Sequence, residues 1–228
     1  GTEVSEHPLV VDALTTQRTA PILYGNIMTV TNYIDERIKY RNFFNTTNKS
    51  LADGIIYNSD IEKTKLPQKI YLIIGESATR DRLSLYGYHH PTSPYADSLA
   101  LHDPNFKAYQ GYTSGTITRD AFRMILTASS PHDMDAFFST QSLVDMANDS
   151  DRESVWISPL EGVFRQHSGT YIQLLASSAQ NFIYSPKRDD LHFIDFLLEA
   201  KKENHPQFIL IGLNGSHGAY RDGTDNID

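Results

Sequence analysis

No cysteine occurs among the 228 residues, which excludes disulfides, CxxC zinc sites and thiol nucleophiles while leaving the redox compartment open. No apolar run approaches the roughly 18 residues that a membrane span needs. The N-terminal stretch "GTEVSEHPLVVD" has neither the basic nor the apolar region of a signal peptide, so the chain reads as soluble. Excess positive charge is also lacking. The formal net charge is -8, which argues against binding a phosphate backbone, because that needs clustered Lys and Arg; no nucleic-acid partner is expected. Internal repeats and low-complexity tracts are absent, as are GKS or GKT, GxGxxG and EF-hand spacings, so nucleotide-loop and calcium-loop readings have no support. What remains is a globular composition, 39% hydrophobic and 11% aromatic, enough to bury the core of one large domain or one domain with an appendage. The leading Gly-Thr without an initiator Met is expected of a piece cut from something longer.

The chain changes character near residue 67. Before it, Ile27, Val30, Ile34 and Ile38 recur at helical spacing until "NTTNKSLADG" breaks the pattern with turn formers. Residues 1–66 are therefore expected to form a helical arm and linker, and 67–228 the main domain. From Lys69 onward, short apolar runs alternate with helical segments. The runs "KIYLIIG" (69–75), "NFKAYQGY" (105–112), "ESVWIS" (153–158) and "QFILIGL" (207–213) predict strands. Helices are expected at 94–101, 118–128, 140–148, 170–180 and 189–202. Such alternation predicts an α/β fold, a mostly parallel sheet sandwiched by helices.

In an open α/β sheet, ligands bind outside the carboxyl ends of the strands. On the predicted strands, the first ends at Gly75-Glu76, the second runs into "TSGTITRDAF" with Thr118 opening a helix, and the fourth leads into "NGSHGAY", which presents His217. A carboxylate, a hydroxyl and an imidazole would then share one rim. Each also has a structural reading: Glu76 as a first-turn acid on a helix dipole, Thr118 as an N-cap, His217 as a surface histidine. His89-His90, His132 and His167 read as loop histidines, and Arg80 and Arg119 as solvated surface.

Four motifs, "IGESATRDRLSLYGYHHPTSP", "TSGTITRDAFRMILT", "VWISPLEG" and "LNGSHGAY", together resemble the phosphoethanolamine transferases of the alkaline phosphatase/sulfatase superfamily, in order and spacing over residues 69–220. These enzymes modify bacterial envelope glycolipids and glycans, and their relatives include the mobile colistin-resistance transferases, hence an association with polymyxin resistance. The resemblance implies an alkaline-phosphatase/sulfatase-like fold in which Glu76 is a zinc ligand, Thr118 both ligand and nucleophile, and His217 a contact to the phosphoryl or acceptor group. A threonine hydroxyl is a poor nucleophile near neutral pH, and a metal that stabilises its alkoxide answers that need.

The implied reaction moves phosphoethanolamine from phosphatidylethanolamine through a phosphothreonine to lipid A or a lipopolysaccharide core. Its implied place is the periplasmic side of the inner membrane, attached through an N-terminal membrane domain to which the arm leads. The family completes its zinc site with an Asp-His pair in a later "DHGE"-type motif. This sequence ends at "RDGTDNID", so the domain is expected to be C-terminally incomplete, its zinc ligand set short, and the polypeptide inactive by itself. Relatives with disulfides around the nucleophile loop differ from this chain, where Ser114 and Met124 stand in that region. Three alternatives stay open: a phosphoglycerol transferase with the same threonine and metal logic, a sulfatase-like hydrolase, for which the required C/S-x-P-x-R element is missing, and a non-catalytic binding fragment.

Overall fold

The computed structural model describes residues 49–51, 67–158, 171–184, 190–213 and 215, together with positions 27, 30, 31, 34, 35, 38, 39, 41 and 43. Four strands, β1 (Lys69–Ile74), β2 (Glu153–Ser158), β3 (Asn181–Tyr184) and β4 (Gln207–Gly212), pair in parallel in the order β1-β4-β2-β3. Parallel pairing requires a crossover between strands, and helices supply it. They are α1 (Pro94–His102), α2 (Thr118–Leu126), α3 (Ala136–Ser139), α4 (Leu143–Asp149), α5 (Tyr171–Ser177) and α6 (Phe193–Lys202).

The side-chain alternation of a strand sorts the core into two layers. Phe208 and Leu210 of β4 join Trp156 of β2 on one face, where they pack with Phe122 and Leu126 of α2, Phe137 of α3, Val144 of α4 and Leu175 of α5. Ile209 and Ile211 join Val155 and Ile157 on the other face, under Phe193 of α6. All six residues of β4 are buried, as expected of a strand flanked on both sides and covered on both faces. β1 differs: it lies at the outer edge of the sheet, and Tyr71 and Ile73 are exposed.

Two expectations about the strands need correction. Residues 105–112 form no strand; the segment is irregular, with Tyr109 and Tyr112 exposed. The two tyrosines lie on the surface, where the Tyr86 hydroxyl donates to the Tyr109 carbonyl at 2.8 Å and Arg80 Nη1 donates to Gln110 Oε1 at 3.2 Å. The missing place in the sheet is taken by β3, four residues shortly after α5 to which the sequence pattern assigns no element. Pairing with β2, from Val155↔Asn181 to Ser158↔Tyr184, makes them a strand. Helix boundaries agree within a few residues elsewhere: the helix expected at 140–148 is α4, which starts at Leu143, and the short α3 before it is not among the expected helices. The start of α4 is set by Ser142, whose Oγ accepts from the Asp145 amide at 3.1 Å while Asp145 Oδ2 accepts from the Ser142 amide at 2.9 Å. This reciprocal capping starts α4.

The N-terminal ends of the strands close in a polar network. Glu153 accepts from the side-chain amides of Gln207 and Asn181, and His205 Nε2 lies 2.5 Å from its Oε2. Lys69 Nζ donates to Gln207 Oε1 at 2.5 Å and to the His205 carbonyl at 2.9 Å. The hydrogen bonds from Gln207 and then His205 outweigh desolvation and hold the Glu153 carboxyl below its ordinary value. A carboxylate whose pKa is depressed by folding contributes stability above its unfolded pKa, and that contribution disappears as pH falls through the folded value. The wild-type melting temperature should therefore fall more steeply than that of Glu153→Gln on acidification from about pH 5 to about pH 3. Parallel melting curves across that range would show that the network contributes nothing.

The four apolar positions Ile27, Val30, Ile34 and Ile38 all lie in helical backbone, and all are exposed. Further along, Phe43 is buried in the main core and stacks on Phe137 with ring centroids 5.3 Å apart. Lys49 pairs with Asp145 at 3.1 Å, and Ser50 exchanges backbone hydrogen bonds with Ser139 and Gln141 at 3.0 and 2.8 Å.

Candidate active site

β1 ends at Ile74, and past Gly75 the chain places Glu76 at the carboxyl end of the strand. Immediately after it, Ser77 has a φ of 51°, the left-handed region that a residue with a Cβ enters at a cost. Its hydroxyl donates to Glu76 Oε1 at 2.9 Å, so the strained residue steadies the carboxylate before it.

Thr118 comes from a different direction. It does not follow a strand; it is the first helical residue of α2, reached through the irregular segment 103–117. The N-cap position belongs to Ile117, in extended conformation and without a side-chain cap. The capping reading of Thr118 is therefore set aside: its hydroxyl is not used on the helix end. Instead Thr118 Oγ1 donates to Glu76 Oε2 at 2.9 Å across 42 residues of sequence. The approach is held by Gly115, where a Cβ would come within 2.9 Å of the Ala121 amide nitrogen. Only a residue without a side chain lets the loop pass this close to the first turn of α2.

The third expected member, His217, lies outside the described residues, as does His167. The loop leading toward His217 does reach Glu76. Leu213 extends the β1–β4 pairing by donating its amide to the Ile74 carbonyl at 2.9 Å. Two residues later Gly215, with φ of 42°, sits so close that a Cβ would lie 3.1 Å from the Glu76 carbonyl oxygen. The amide of Gly215 donates to Asp190 Oδ2 at 2.7 Å. Asp190 escaped the sequence reading, because nothing in "KRDDLHF" distinguishes it from a helix-start acid; its contact to residue 215 exists only in the folded chain.

The other candidates have partners of their own or lie exposed. His89 and His90 are exposed and pack on Tyr88, the two imidazoles 4.0 Å apart, as an aromatic cluster. Arg80 pairs with Asp81 at 3.2 Å and Arg119 with Asp120 at 3.6 Å, and His132 is exposed. A cavity of about 410 Å³ opens beside Glu153, Asn181, Phe196 and His205, near the polar network at the N-terminal strand ends and away from Glu76.

Glu76 Oε2 and Thr118 Oγ1 lie 2.9 Å apart, and a carboxylate and a hydroxyl oxygen are donor types that could serve as two ligands of a zinc ion. Among the described residues no group of three or more His, Asp or Glu could hold a metal.

The described part of the chain agrees with what comparison finds. The sulfatase family model matches residues 68–226. Phosphoethanolamine transferase EptC of Escherichia coli O18:K1:H7 is 25% identical over 199 residues, 84% of this chain and 34% of that protein. Phosphoethanolamine transferase CptA of Salmonella typhimurium is 28% identical over the same shares. The chain thus spans about a third of the length of the curated relatives it matches. Among solved structures, the C-terminal periplasmic domain of EptC from Escherichia coli, crystallised in complex with zinc, superposes with a TM-score of 0.64 at 25% identity, covering 70% of this chain and 47% of that one.

Proposed function

The chain belongs to the sulfatase family, and from that membership together with the site geometry we propose that it carries the nucleophile of a phosphoethanolamine transferase. The donor is phosphatidylethanolamine and the acceptor a bacterial envelope glycolipid or glycan, such as lipid A or a lipopolysaccharide core. The 2.9 Å contact between Thr118 Oγ1 and Glu76 Oε2 is the observation that carries this reading. Similarity to EptC and CptA, both named phosphoethanolamine transferases, supports the transfer chemistry.

Glu76 Oε2 holds the hydroxyl hydrogen of Thr118, which turns the lone pairs of Oγ1 outward toward an incoming phosphorus. As the new P–O bond to Thr118 forms, the bond to the diacylglycerol oxygen breaks, and the Thr118 hydroxyl proton passes by way of Glu76 to the departing diacylglycerol oxygen. An acceptor hydroxyl or phosphate oxygen then attacks the phosphorus, the bond from Thr118 Oγ1 to phosphorus breaks, and Oγ1 takes a proton back by way of Glu76. Thr118 is the first residue of α2, and the positive end of the helix dipole there favours the phosphoryl oxygens. His217 would contact the phosphoryl or acceptor group as charge shifts between them. Glu76 and Thr118, with further ligands, would hold zinc, which would supply the positive charge that makes a threonine oxygen nucleophilic near neutral pH. A zinc complex of the matching EptC domain supports that choice of metal. We place the catalytic domain in the periplasm, with residues 1–66 as the arm leading from a membrane domain.

The test is to incubate the full-length protein with phosphatidylethanolamine without acceptor and digest it. The peptide containing Thr118 should gain the mass of one phosphoethanolamine unit. An adduct on another residue, or acceptor modification with no adduct ever trapped on Thr118, would remove the phosphothreonine from the mechanism.

A further inference from the structure

The transfer reading leaves open what fixes the loop beyond β4 against the site. We propose that Asp190 is a positioning residue that sets this loop on Glu76; the inference rests on the reading of Glu76 and Thr118 as the reacting centre. Leu213 is the last residue tied to β1, through its amide on the Ile74 carbonyl. Asp190 Oδ2 supplies the acceptor, 2.7 Å from the Gly215 amide. A carboxylate accepting from a backbone N–H makes a shorter and stronger bond than a neutral acceptor.

The anchor is itself held firmly. Asp190 opens the 3-10 turn Asp190–His192, which runs directly into α6, whose first residue Phe193 is buried in the second core layer. The position of the carboxylate is therefore tied to the sheet through α6. On the other side Gly215 has no slack: it adopts a left-handed φ of 42°, and a Cβ there would lie 3.1 Å from Glu76 O and 3.5 Å from Glu76 Cβ. One hydrogen bond thus clamps the loop between a rigid turn and the backbone of the residue that orients Thr118. The effect of Asp190 on the site passes through its hydrogen bond to Gly215.

The experiment compares Asp190→Ala and Asp190→Asn in the full-length protein, with Thr118→Ala beside them. Transfer from labelled phosphatidylethanolamine gives kcat and KM, and hydrogen-deuterium exchange reads the amide of Gly215. Partners one shell removed from a reacting centre typically matter by about tenfold to a hundredfold. Asp190→Ala should lower kcat by about that factor with the donor KM little changed, and the Gly215 amide should lose protection. Asp190→Asn, which keeps an acceptor oxygen, should recover most of both. Wild-type kcat and unchanged Gly215 exchange in Asp190→Ala would overturn the proposal, as would an Asn variant as impaired as the Ala variant. If Thr118→Ala transfers like wild type, the reading of the reacting centre fails, and Gly215 exchange alone then decides the role of Asp190.

Discussion

Thr118→Ala in the full-length protein is expected to lower phosphoethanolamine transfer by about four orders of magnitude or more, the scale seen when a covalent nucleophile is removed from an enzyme that depends on it. The fold should barely register the change. Thr118 is partly exposed, Ile117 takes the N-cap position, and the Thr118 side chain caps nothing. What disappears is the oxygen held 2.9 Å from Glu76. Thr118→Ser keeps that oxygen but loses the methyl that limits its rotamers, so its activity should fall between wild type and alanine. Transfer of label from phosphatidylethanolamine to acceptor, alongside melting curves for each variant, measures both claims. Equal transfer by wild type and Thr118→Ala would end the nucleophile assignment.

Phe137→Ala should have the largest effect on stability, about 3–5 kcal/mol for deleting a fully buried aromatic ring. At about 2–4 °C per kcal/mol for a chain of this size, the melting temperature should fall by on the order of 10 °C. Phe137 is wholly buried and central to its layer: Phe43 lies 5.3 Å away, Phe138 and Tyr171 each 5.0 Å, and the Arg123 guanidinium 5.3 Å from its ring. Arg123 belongs to α2, is itself buried, donates through Nη2 to the Met134 carbonyl and lies 4.1 Å from the Tyr171 ring. Removing the Phe137 ring therefore loosens the bed on which the helix of Thr118 rests. Phe137→Leu, which refills most of the space, should cost much less. A melting temperature within about 2 °C of wild type for Phe137→Ala would contradict this account of the core.

How far the sequence could be read follows from the range of the interactions involved. Glu76 was legible because the apolar run of β1 stops abruptly before it, and a strand end is a local signal. Thr118 was legible as a helix opener, again locally. Its partnership with Glu76 was implied by family resemblance and is visible physically only once α2 is packed against the sheet. The stretch 105–112 misled because its aromatic spacing suits a strand, and no local rule says that Tyr109 and Tyr112 face solvent. β3 was lost for the opposite reason: four residues are too few to show a period, and only pairing with β2 defines them. Asp190 carried no signal at all, since its meaning lies 25 residues away at Gly215.

The place of β1 in the strand order has a consequence for assembly. Among the described residues its outer side pairs with nothing, and Ile73 is exposed beside it. Any strand that joins there runs about 4.8 Å from β1. A parallel newcomer in register would end next to Glu76. The border of the sheet thus sets the carboxyl end of any added strand beside the contact between Glu76 and Thr118.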